Sequence, residues 1–128
     1  MARITEVSYA KYAMARDPYA HPGLLEELSY DEDEGVVWEV ADNLSTPARV
    51  LVRLSKHPAT RVRWHVAVND NTPVETLVEL ASDPRYDVRR GVEDNPRTPP
   101  MVKLWLKSGQ YGDMSLEDFL RATGDCNV

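Results

Sequence analysis

The chain has one cysteine, one phenylalanine and no apolar stretch long enough to cross a bilayer. A lone Cys126 excludes an intramolecular disulfide and a cysteine-only metal cluster, which points to a reducing compartment. The opening "MARITEVSYAKYAMARDP" lacks the apolar core of a secretory signal, so the expected location is the cytoplasm. Positive charge is also scarce. Fifteen Lys and Arg against 21 Asp and Glu leave a net charge of −6 and a pI near 5.0, which counts against indiscriminate binding of polyanions. Short signatures of catalysis are missing too: there is no H-E-x-x-H, G-x-S-x-G, P-loop or dinucleotide fingerprint. His21, His57 and His65 share no motif spacing, and His65, beside a valine face, reads as a partly buried packing residue. The expectation is therefore no enzymatic activity, no metal and no cofactor.

What the chain does have is repetition. Thr46-Pro47, Thr72-Pro73 and Thr98-Pro99 recur at a spacing of 26 residues. The same shift superposes Leu25, Leu51 and Leu77, and also Leu28, Leu54, Leu80 and Leu106. Val36, Val62 and Val88 form a third column, Val40, Val66 and Val92 a fourth, and Asn43, Asn69 and Asn95 close the pattern. A period of this size signals stacked supersecondary units.

Each unit reads as two short helices. Thr72 is placed as an N-cap, Pro73 at the first helical position and Glu75 as the return arm of a T-x-x-E capping box. Leu77 and Leu80 give that helix an apolar stripe, and "SDP" ends it because Pro84 disfavours helical geometry at Asp83. A second helix starting near Tyr86 or Asp87 carries Val88 and Val92 and stops before Asn95-Pro96. Helices this short are marginal alone, so packing between units must hold them. The asparagines, at each junction, suit hydrogen bonds to local backbone.

The expected architecture is all-α in a single domain over 1–128: a short α-solenoid of about four helical hairpins at 20–43, 44–69, 70–95 and 96–109. A cap helix is expected near 4–16. Another is expected near 115–123, with Ser115 as its N-cap and Gly124 as its stop.

The phrase "TP..TLVELASDP..DVR..V..NP.TP" resembles the variant leucine-rich repeat, and more broadly the HEAT-like α-helical repeats. Its carriers are the three Thr-Pro pairs, Val62-Arg63, Val88-Arg89 and the closing asparagines, over about residues 20–107. The resemblance implies a right-handed superhelix in which one helix of each pair is tight and 3₁₀-like. Some members of that family carry a cysteine-ligated iron–sulfur cluster ahead of the repeats; with one cysteine, this chain does not inherit it.

Opposite the valine stripe of the second helices stands the column Tyr12, Trp38, Trp64 and Arg90. Two readings are open. It is an exposed aromatic row on a concave surface, suited to recognition, or the tryptophans pack between helices. Arg63 and Arg89, with Lys11 in register, either hold carboxylates or phosphates of a ligand or pair with acidic groups and carbonyls of a neighbouring unit. HEAT-like repeats commonly use arginine in the second way. Residues 24–43 carry Glu26, Glu27, Asp31, Glu32, Asp33, Glu34, Glu39 and Asp42 and no base; residues 44–63 carry Arg49, Arg53, Lys56, Arg61 and Arg63 and no acid. That asymmetry suits steering of a partner or head-to-tail association. "DEDEG" lacks the ligand spacing of a calcium loop and reads as a solvated acidic turn.

The functional expectation is a protein–protein interaction module, a monomer or weak dimer without membrane attachment. Its site would be Tyr12, Trp38, Trp64, Arg90, Arg63 and Arg89, and its ligand a protein or peptide. The alternative is a nucleic-acid-binding protein, with aromatics and arginines lining a backbone-tracking groove.

Overall fold

The computed structural model describes residues 6–109 and 113–123. Within them the chain is all-helical: α1 (Glu6–Arg16), α2 (Pro22–Leu28), α3 (Glu34–Asp42), α4 (Ala48–Leu54), α5 (Thr60–Val68), α6 (Val74–Leu80), α7 (Tyr86–Asp94), α8 (Pro100–Ser108) and α9 (Leu116–Thr123). No strand occurs among the described residues, and none of these helices is long and apolar enough to cross a membrane. Helices α1, α3, α5, α7 and α8 pack side by side in chain order, while α2, α4 and α6 each lie against the helix that follows; α9 closes on α8. Helices α2, α4 and α6 are α-helical over seven residues, not the tight 3₁₀-like turns implied by the resemblance. Gln110 to Gly112, the proposed stop at Gly124 and Cys126 lie outside the described residues.

The repeated apolar columns are the core. Leu25, Leu51 and Leu77 are fully buried, as are Val36, Val62 and Val88 and Val40, Val66 and Val92. Ala15, Ala41 and Ala67 add a column of small side chains in the same core, so that α1, α3 and α5 can approach closely. Trp105 breaks the spacing. It is buried at the α8–α9 end and its indole donates to the Met114 carbonyl at 2.9 Å.

The threonines do not cap the helices they precede, which corrects the expected capping box. Pro47, Pro73 and Pro99 occupy the N-cap position, with no side-chain cap bond. The buried hydroxyls of Thr46, Thr72 and Thr98 instead donate backwards, each at 2.6 Å, to the carbonyls of Val40, Val66 and Val92. Those carbonyls lie in the last turn of the preceding helix and already accept the amide of the C-cap asparagine at 3.1–3.2 Å, so the hydroxyl takes their second lone pair. At α9, Ser115 does act as expected, accepting from the Asp118 amide at 3.1 Å.

The asparagines reach further than local backbone. All three C-cap positions share φ −75° and ψ 125°. In each, Oδ1 accepts from the amide two residues on, as from Asn71 N to Asn69. Nδ2 points the other way along the fold. Asn43 donates to the carbonyls of Ala15 and Asp17, Asn69 to Ala41 and Asn43, and Asn95 to Ala67 and Asn69. One amide side chain per 26 residues thus fastens each second helix to the end of the one before.

Two ion pairs recur at twice that spacing. Lys11 meets Asp31 at 2.8 Å and Arg63 meets Asp83 at 2.8 Å, each twenty residues ahead. Between those pairs, at the same offset, stand buried Val37 and the ring of His57. Asp31, His57 and Asp83 also share a local duty: each side chain accepts from the amide two residues on. Lys11 holds the Asp31 carboxyl below its usual value, and burial pushes the His57 ring down.

Candidate interaction surface

The exposed side of the second helices carries the aromatic column, and its centre is a histidine. His65 of α5 lies between Trp38 of α3 and Trp64, its ring centroid 4.9 Å from the first, tilted, and 4.8 Å from the second, edge-on. Its Nδ1 is 3.3 Å from Asp42 Oδ1, while Nε2 is buried and has no hydrogen-bond partner in the structure. Burial pushes the imidazole below its ordinary value, against the opposing pull of Asp42. Both tryptophans are half-buried and rest on the core. The two sequence readings of this column are each realised in part, because the rings pack between helices and still present a face.

Arg61 covers Trp38, its guanidinium carbon 3.9 Å from the ring centroid. Tyr12, also half-buried, donates to Asp33 Oδ2 at 2.9 Å, and that bond raises its phenol above the usual value. Tyr12 reaches the start of α3 only because residue 35 is glycine: a Cβ there would collide with the Tyr12 hydroxyl and lie 3.0 Å from Trp38 Nε1. Arg90 is exposed and held on its own helix by Asp94, 3.4 Å away, and by the Tyr86 hydroxyl at 3.4 Å.

Arg63 and Arg89 face away from solvent. Arg63 grips Asp83 and donates to the His57 and Pro58 carbonyls at 2.9 and 3.0 Å; Arg89 donates to the Asp83 carbonyl at 2.7 Å. Of these bonds only Arg63–Asp83 reaches the next 26-residue unit, while the carbonyl bonds of Arg63 and Arg89 tie each arginine to the turn before its own helix. The acidic and basic segments also meet internally. Arg49 pairs with Glu26 at 2.8 Å, Arg16 with Glu39, and Arg53 lies 3.8 Å over the Tyr30 ring. "DEDEG" is only partly a solvated turn, since Asp31 pairs with Lys11 and Asp33 caps α3.

Two hollows flank the aromatic row. One, about 530 Å³, opens at the N-terminal ends of α5 and α7 and is lined by Thr60, Arg61, Trp64, Arg85 and Asp87. The other, about 450 Å³, lies among Arg16, Pro18, Glu39, Asp42, Asn43 and Leu44. Sequence reasoning missed Arg61 and Arg85 as parts of the surface. The available signal was the three-residue spacing from Arg61 to Trp64, which puts both on one side of a helix. Among the described residues no three His, Cys, Asp or Glu side chains converge as a metal site would require. No protein-family model, curated protein or solved structure matches the chain, so its function must be argued from this geometry.

Proposed function

We propose that this chain is a non-enzymatic protein–protein interaction module: a short right-handed α-solenoid of about four 26-residue helical hairpins, similar to variant leucine-rich and HEAT-like repeats. Burial of the same leucine and valine columns along the chain supports the stacked arrangement. The carrying observation is the Trp38–His65–Trp64 stack with Arg61 laid on it, left half-open on the row of second helices. Rings fixed by their neighbours present contact area with little rotamer entropy left to lose on binding. Tyr12 and Arg90 extend the row at its two ends, while Arg63 and Arg89 stiffen the turns beneath it.

The test is affinity isolation of the partner from the source cell with and without nuclease, followed by titration with Trp64→Ala. A protein partner retained after nuclease, and bound by the variant at least about 2 kcal/mol more weakly, is the expected result. Loss of all binding on nuclease treatment, with a steep salt dependence, would mark the nucleic-acid alternative. Unchanged affinity in a Trp64→Ala protein whose circular dichroism is preserved would remove the aromatic row from the site.

A further inference from the structure

The two hollows beside the aromatic row are chemically unlike. In the one near the C-terminal end of α3, Arg16 is already paired with Glu39, and Asp42 adds a second carboxylate. In the one at the starts of α5 and α7, Arg61 and Arg85 have no salt-bridge partner among the described residues, although acidic residues outnumber basic ones along the chain. Arg61 stacks on Trp38, and a stacked guanidinium keeps the N–H groups on its edge for an in-plane acceptor. Trp64 lines the same hollow with a half-exposed ring. Asp87 is its one acid, leaving an excess of one positive charge. The adjoining helix starts reinforce that sign. Asp33 caps α3, but Ala59 and Arg85, at the N-cap positions of α5 and α7, make no side-chain cap bond, so no capping side chain offsets the positive ends of these two helices.

We propose that this hollow seats an acidic segment of the partner protein, an apolar or aromatic side chain lying on Trp64 and flanking carboxylates reaching Arg61 and Arg85. The proposal rests on the interaction-module reading and names the chemistry of its ligand. The volume of about 530 Å³ is in the range of clefts that hold drug-sized ligands, about 300–1,000 Å³. A nucleic-acid strand suits the surface less well. Two arginines neutralise few phosphates, and a strand extended along the row would pass Glu39, Asp42 and Asp94 on a molecule of net charge −6.

The experiment titrates the full chain, by heteronuclear NMR, with acetyl-Glu-Phe-Glu-amide, acetyl-Lys-Phe-Lys-amide and an oligothymidylate. The acidic peptide should move the Trp64 indole and the Arg61 and Arg85 Nε–H resonances, and the basic peptide should leave them in place. Arg61→Gln with Arg85→Gln should weaken the acidic peptide about tenfold or more, the loss expected for two charge-assisted hydrogen bonds. Asp87→Asn should tighten it severalfold by removing the competing carboxylate, a gain that damage to the fold would not produce. Equal binding of the two peptides, no response at Trp64, or a double variant that binds like the parent overturns the proposal. If the acidic peptide is silent while Trp64→Ala still weakens a nuclease-resistant partner, this inference fails and the interaction-module reading survives. If the oligothymidylate alone moves these resonances, both fail.

Discussion

Replacing Asn69 with alanine removes three hydrogen bonds from a site that is only 3 % exposed. The groups left behind do not suffer equally. The Asn71 amide belongs to an exposed residue and can turn to water. The Asn43 carbonyl keeps the Thr46 amide at 3.2 Å. The Ala41 carbonyl has no such substitute. It sits in the last turn of α3, and the Ser45 amide four residues on is held by Asn43 Oδ1 at 2.8 Å. An orphaned buried carbonyl costs about 1–3 kcal/mol and a weakened bond about 0.5–1.5, so Asn69→Ala should lose about 2–4 kcal/mol. That is a large share of the 5–15 kcal/mol typical of a domain. Urea unfolding followed by far-UV circular dichroism measures it. Asn69→Asp separates hydrogen bonding from packing, because it keeps the volume and the Oδ1 acceptor but turns an anion toward two carbonyl oxygens. It should be worse than alanine at neutral pH. A loss within about 0.5 kcal/mol for alanine, or a milder effect for aspartate, would refute the cross-helix role of the amide.

Arg63→Ala should cost about 3–5 kcal/mol in the same assay, because it strands an Asp83 carboxylate that is only 5 % exposed, whereas Arg49→Ala, whose side chain is 66 % exposed, should change stability by about 1 kcal/mol or less. Equal losses would mean that burial does not set the strength of these pairs. His65 has its folded-state pKa pushed down by burial, so the unfolded chain binds the proton more readily. Its contribution is present above the ordinary histidine value and is lost as pH falls through the lower folded one. His65→Phe, which also removes the unpartnered Nε2, should flatten part of the fall in stability below about pH 6.5, with His57 and, at lower pH, Asp31 contributing through the same sign of shift; an unaltered pH profile would contradict this. Gly91→Ala gains about 1 kcal/mol of helix propensity but sets a Cβ 3.0 Å from Ala67 Cβ and 3.3 Å from Trp64 Cδ1. Overpacking of about 1–3 kcal/mol should outweigh the gain, and a more stable variant would show that α5 and α7 have room to part.

The leucine and valine columns could be read in the sequence because burial repeats whenever a helix meets the same neighbour, and apolar identity is its direct record. The start of α7 at Tyr86 and its stop before Asn95-Pro96 were legible for a local reason, since Pro84 and Pro96 act through bonds to their immediate neighbours. Thr72 was misjudged because its hydroxyl lies within reach of two helix ends. Local spacing favoured the helix ahead, and only the turn geometry at Asn69 brings it to Val66 O. The Nδ2 bonds of the asparagines run 26 and 28 residues back, so no local rule could assign them. His65 was judged from its own helix, where it stands at the edge of the valine face. Its true setting comes from Trp38 and Asp42, a full period away. Arg61 and Arg85 were overlooked because the hollow they line is shared by the starts of α5 and α7, which lie far apart in the chain.

The twenty-residue offset between Lys11 and Asp31, Val37 and His57, and Arg63 and Asp83 makes two deletions of equal length unequal. Excising 44–69 takes Arg63 away and brings Asp83 into register with Val37, a carboxylate facing an aliphatic wall. Excising 58–83 removes Arg63 together with Asp83, leaves Val37 with His57, and joins His57 to Pro84 in place of Pro58. In both shortened chains the asparagine and threonine bonds can re-form, since those residues are the same at every junction. The chain is therefore interchangeable in its backbone fastenings and individually keyed in its charges, and its length can change cleanly only by losing or gaining lock and key as one piece.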